Sequence, residues 1–80
     1  MKIGVKILPK NEVLDSPGRA VEAMLKNNGR AVDQCRMGKY VQLEIAETEE
    51  SRALAKAREI TEFVLYNPLI ETFELEIVKR

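Results

Sequence analysis

Two cations flank a glycine in Arg36-Met37-Gly38-Lys39, and two carboxylates, Glu74 and Glu76, stand two residues apart further on. A guanidinium and an ammonium around a tight turn make either a solvated loop tip or a contact for an anion or an acidic partner. Glutamates two apart on a strand share a face, and a solvated sheet face accounts for them without acid–base chemistry. Beyond these the chemical inventory is thin. The sequence has no histidine, the usual base for a serine or cysteine nucleophile. Cys35 is the only cysteine, so neither an internal disulfide nor a thiolate zinc cluster can form. The glycines at 4, 18, 29 and 38 match neither a phosphate loop nor a dinucleotide fingerprint. No strand carries paired aromatics at the spacing that stacks bases.

Two further clusters stand out. Val13-Leu14-Asp15-Ser16-Pro17-Gly18 reads as a loop and a helix start, with Gly18 placed early enough to admit a neighbouring backbone or a ligand. Asn67-Pro68-Leu69-Ile70-Glu71 reads as a helix stop followed by a strand.

The elements that position these clusters follow from periodicity. Lys2 to Leu8 alternates Ile3, Val5 and Ile7 against Lys2, Gly4 and Lys6, and Pro9 ends that strand. Ser16 as N-cap and Pro17 at the first helical position start a helix, which carries Val21, Met24 and Leu25 and stops at Gly29. Val41, Leu43 and Ile45 alternate with Tyr40, Gln42 and Glu44, and Val32 to Met37 is the expected partner strand. Gly38-Lys39 is then a hairpin turn in which glycine takes a positive φ. Thr48 caps a second helix with Ala53, Ala57, Ile60 and Val64 on one face. Ile70 to Val78 is the last strand, with Phe73, Leu75 and Ile77 on one side. The order β-α-β-β-α-β predicts an α+β two-layer sandwich, helices on one face of an antiparallel sheet, ferredoxin-like or related, in one domain spanning 1–80. Phe63 and Tyr66 fall outside the buried stripe of their helix and hint at a partner surface.

Eighty residues bury only roughly 60–65% of their unfolded surface. With no disulfide or metal to staple so small a core, oligomerisation is the remaining device. The net charge is zero but unevenly spread: residues 1–40 hold eight Lys/Arg against four Asp/Glu, and residues 41–80 hold five against nine. That balance argues against nucleic-acid binding, and the uneven spread reads either as two differently solvated faces or as a self-complementary or partner-docking surface. The lone cysteine fits a reducing compartment, and the absence of a long apolar run predicts neither a signal peptide nor a membrane helix.

Taken in order, VLDSPGRAVEAML, CRMGKYVQLEI and YNPLIETFELEI resemble the PurS family, the small subunit of phosphoribosylformylglycinamidine synthase. The family pattern falls on Val13, Leu14, Asp15 and Gly18; on Arg36, Gly38 and Lys39, with Tyr40 directly after them; and on Asn67, Ile70, Glu71 and Phe73. All of these but Val13 are the candidate interface residues. One departure is that Ser16 separates Asp15 from the proline, which moves the expected N-cap from Asp15 to Ser16. The resemblance implies a chain with no catalytic group and no cofactor of its own, cytoplasmic, in a homodimer or larger. Its complex would be a glutamine-dependent, ATP-consuming carbon–nitrogen ligase of purine biosynthesis. A PurQ-type glutaminase subunit releases ammonia there, and a PurL-type synthase subunit uses ATP and magnesium to amidate formylglycinamide ribonucleotide. The small chain holds the two together and assists ammonia transfer. Two other classes share the element order. A regulatory module of the ACT type would bind a small molecule, and an acylphosphatase-like enzyme would need an arginine in a glycine-rich cradle after strand one, which Lys6 to Asn11 does not offer.

Overall fold

The computed structural model describes residues 1–79, so Arg80 lies outside the described residues. Strand β1 (Lys2–Pro9) is the middle of a sheet ordered β2-β1-β3, flanked on both sides by antiparallel partners, β2 (Lys39–Glu44) and β3 (Glu71–Val78). Ile3 stands between Leu43 and Ile77, Val5 between Val41 and Leu75, and Ile7 between Lys39 and Phe73. The two-residue period of β1 therefore puts Ile3, Val5 and Ile7 on one face, where all three are buried. Its other face carries Gly4 and Lys6, opposite Gln42, Tyr40, Glu74 and Glu76.

Helix α2 (Glu50–Ile60) covers the buried face and runs straight into one π-helical stretch, Thr61–Leu65. Ala53, Ala57 and Thr61, four apart, are wholly buried and form its contact stripe. Side chains this small let the helix lie close to the sheet, and Ile3, Ile45, Leu75 and Ile77 close the core around them. The Thr61 hydroxyl donates to the Ala57 carbonyl at 2.8 Å, so the one buried polar side chain among the described residues is satisfied. The helix start differs by one residue from expectation: Glu49, not Thr48, is the N-cap, with Ser51 donating to its carboxylate at 3.0 Å.

Helix α1 (Ser16–Asn27) stops as the sequence predicts, on Gly29 at φ 76°, with Gly29 N–H on the Lys26 carbonyl and Arg30 N–H on the Leu25 carbonyl. Its packing is another matter. Gly18 is its only buried residue, and it makes no extensive contact with α2 or the sheet. The chain is elongated in consequence: its radius of gyration is 15.6 Å, against about 12 Å for a compact domain of this length.

The middle hairpin does not form. The α+β class and the antiparallel sheet stand, but three strands make it, and Val32–Met37 is irregular chain. Its backbone has other partners. Cys35 N–H donates to a Glu22 carboxylate oxygen at 3.0 Å and Met37 N–H to an Asp15 oxygen at 2.8 Å. Alternate amides that a strand would hand to a neighbour are taken by carboxylates of α1 and its cap. The partner of β2 is β1 instead, so the sheet is closed by a long crossover through α1.

Candidate functional site

Pro9, the last residue of β1, marks the end of the sheet where the motif residues gather. Asp15 is the N-cap of α1: one oxygen accepts Gly18 N–H at 3.0 Å, the other Met37 N–H at 2.8 Å. This corrects the expectation that Ser16 takes the cap; Ser16 and Pro17 instead open the first turn. The two backbone donors, Met37 first and Gly18 second, hold the Asp15 carboxyl below its ordinary value, with the nearby Arg36 charge adding to them.

Both motif glycines are explained by close approach. A Cβ on Gly18 would strike the Cys35 carbonyl oxygen, and one on Gly38 would strike the Ile7 carbonyl oxygen. Gly38 does not have a positive φ, which corrects the hairpin-turn reading; it is glycine because the chain crosses directly against β1 there. Arg36 is not a solvated tip either, since its guanidinium donates to the Pro9 carbonyl. Lys39 lies 3.8 Å from Glu71, whose carboxylate also accepts Asn67 N–H at 2.7 Å. Asn67 works through its side-chain oxygen, which accepts Leu69 N–H at 3.0 Å, and not through a left-handed backbone.

These contacts lock three segments together and leave apolar side chains standing out of them. A shallow groove of about 320 Å³ runs among Pro9, Leu14, Met37, Gly38 and Ile70. Leu14 is 68% exposed, Leu69 81% and Ile70 44%. Contiguous exposed apolar side chains of this kind mark an interaction surface. Among the described residues no cluster of three metal-ligating side chains occurs.

The structure thus brings Leu14, Asp15, Gly18, Arg36, Gly38, Lys39, Asn67, Ile70 and Glu71 to one end of the sheet. Tyr40 and Phe73 lie in the adjoining rows of the sheet and are turned to its two faces. Phe73 faces the covered side, with Tyr66 edge-on at 4.7 Å between centroids and the Arg58 guanidinium 5.3 Å from its ring. Tyr66 is therefore packed within the chain, whereas Phe63 stays 81% exposed. Tyr40 lies on the open face, its hydroxyl donating to Glu76 at 2.7 Å while Lys6 pairs with Glu76 at 3.1 Å. The hydroxyl of Tyr40 and then Lys6 lower the Glu76 carboxyl, and Glu76 in turn raises Lys6. Sequence reasoning missed this trio, and its signal was Gly4: a Cβ there would strike the Tyr40 hydroxyl. Glycine inside a strand marks such an approach.

The model of the PurS family, phosphoribosylformylglycinamidine (FGAM) synthase, matches residues 2–79. The chain belongs to the PurS family. Its likeness to a curated PurS subunit from Thermotoga maritima is 27% identity over 75 residues, covering 92% of each chain. Among solved structures, PurS of Methanocaldococcus jannaschii superposes with a TM-score of 0.84 at 28% identity, covering 99% of this chain and 96% of that one. The matched chain of the Thermotoga maritima PurLQS structure gives 0.86 at 26% identity, covering 94% and 93%. The regulatory-module reading draws no support from these likenesses, each of which is to a PurS subunit.

Proposed function

We propose that this PurS-family chain is the small, non-catalytic subunit of a phosphoribosylformylglycinamidine synthase in purine biosynthesis, seated between a glutaminase and a synthase subunit. The observation that carries the reading is the family match along residues 2–79, joined to a Thermotoga maritima relative solved as part of PurLQS. The site geometry supports it. The motif side chains are committed to holding the chain's own segments together, and what they present outward is an apolar groove. That is the work of a docking subunit.

In this reading the glutaminase subunit frees ammonia. The synthase subunit, which holds ATP and magnesium, activates the formamide oxygen of formylglycinamide ribonucleotide for attack by that ammonia. The small chain keeps the two active sites in register and assists the transfer. It acts as a homodimer or larger, with the open side of α1 covered by a second copy, and it works in the cytoplasm. No described helix is long and apolar enough to cross a membrane.

The test is amidine formation in four mixtures of the glutaminase and synthase subunits: ammonia or glutamine as nitrogen source, each with and without this chain. Ammonia-dependent turnover is expected in both ammonia mixtures, and glutamine-dependent turnover only with the chain present. Full glutamine-dependent activity without it, or ATP hydrolysis by the chain alone, overturns the proposal.

A further inference from the structure

A second concavity, of about 210 Å³, lies behind the motif cluster, between the Lys10–Val13 turn, the first turns of α1 and the segment at 34–36. It is polar and has charges of both signs on its wall: Lys10, Arg19 and Arg36 against Asp15 and Glu22. The two carboxylates are engaged. Asp15 accepts two backbone N–H groups and Glu22 accepts that of Cys35. Arg36 is engaged too, with the Pro9 carbonyl. Lys10 and Arg19 are left, and among the described residues neither forms an ion pair. Lys10 is also held in place, its N–H on the Ile70 carbonyl at 2.8 Å and its carbonyl accepting Val13 N–H at 3.0 Å.

The wall therefore has one positive charge in excess, and its free donors are an ammonium, a guanidinium and the amide of Gln34. We propose that this pocket binds a small oxyanion, a carboxylate or a phosphate, gripped between Lys10 and Arg19. A guanidinium presents parallel N–H donors to two oxygens and an ammonium adds a point charge, which together recognise a planar or tetrahedral oxyanion. The space suits an inorganic ion or a short acid. The position matters because α1 is attached to the sheet through this joint and through little apolar packing. An anion bridging Lys10 to Arg19 ties the turn after β1 to α1 and stiffens the arm.

The experiment titrates the full chain, followed by its backbone amide resonances, with sodium phosphate, sodium acetate or sodium chloride at matched ionic strength. Saturable shifts at Lys10, Arg19 and Gln34 are expected with phosphate, acetate or both, and the arm that saturates identifies the oxyanion. Lys10→Gln and Arg19→Gln should each weaken binding about tenfold. Arg19→Lys should fall between, and Lys26→Gln, at the far end of α1, should change nothing. Dispersed spectra for the variants establish that they are folded. Shifts equal to those with chloride, or undiminished in both Gln variants, overturn the proposal.

Discussion

The Asp15 carboxylate reaches across 22 residues of sequence to hold the Met37 amide at 2.8 Å while it caps Gly18 at 3.0 Å. One side chain thus starts α1 and fixes the segment that leads into β2. Glu22 repeats the grip about two helical turns later, on Cys35. These polar ties do for α1 what an apolar face does for α2, and they explain how a helix with so little packing keeps a defined place.

The pH dependence follows. Hydrogen bonds from Met37 and Gly18 lower the Asp15 carboxyl in the folded chain below its ordinary 3.8. A depressed carboxyl contributes stability above its unfolded value and loses it as the pH falls through the folded one. Asp15→Asn should therefore melt lower than the parent at pH 7, and the gap should narrow progressively as the pH falls below about 4. Thermal unfolding at pH 7 and pH 3 checks this; a gap of the same size at both values would remove Asp15 from the account.

Gly29 and Gly38 are glycine for opposite reasons, and substitution separates them. Gly29 has φ 76° and open space around it, whereas Gly38 has an ordinary φ and the Ile7 carbonyl against it. Gly29→Ala should cost about 1 kcal/mol, and Gly29→Asn less, because asparagine tolerates the left-handed region. Gly38→Ala should cost about 1–3 kcal/mol by overpacking, with no relief from asparagine. Denaturant titrations of the four variants decide it.

Much of this is legible in the sequence, and apart from the one-residue shift of the α2 cap the main misses share a cause. The strands around Ile3, Leu43 and Leu75, and the α2 stripe of Ala53 and Ala57, follow from local periodicity, which the fold obeys. Asp15 as cap, the side-chain grip on Cys35 and Met37, and Arg36 on Pro9 are contacts between residues far apart in sequence. Local reading saw Ser16-Pro17 and an Arg-x-Gly-Lys turn, each with a sufficient local explanation, and the tertiary contact prevailed over both. The early Gly18 and the mid-strand Gly4 are the local misfits, and they mark where the Cys35 carbonyl and the Tyr40 hydroxyl come in.

Arg36 and Lys39, paired as cations in the sequence, should behave differently. Arg36→Ala removes the donor to the Pro9 carbonyl and should lower the melting temperature of the isolated chain. Lys39→Ala removes a 3.8 Å pair with Glu71 whose lysine is half exposed, and should change stability by less than about 0.5 kcal/mol. Equal destabilisation by the two would mean that the Arg36 contact contributes no more than a surface pair.

The elongated shape makes the last prediction. A chain of 9.1 kDa with a radius of gyration of 15.6 Å has too much surface for its core. Leu14, just ahead of α1, is 68% exposed, and Met24, on α1 itself, is 66% exposed. A stable pair needs about 800 Å² covered on each partner, and the apolar groove with the exposed Leu14 and Met24 beside it is the first surface to test. Sedimentation across a dilution series should give a dimer or larger well below millimolar concentration. Leu14→Asp should shift that equilibrium toward monomer, because a carboxylate would be stripped of water at the interface, while leaving the far-ultraviolet spectrum of the monomer unchanged. If Leu14→Asp has no effect and Phe63→Ser dissociates the assembly instead, the copies meet at the far end of α2 and the apolar groove faces another protein. A parent chain that stays at 9.1 kDa throughout would mean that the elongated monomer stands alone.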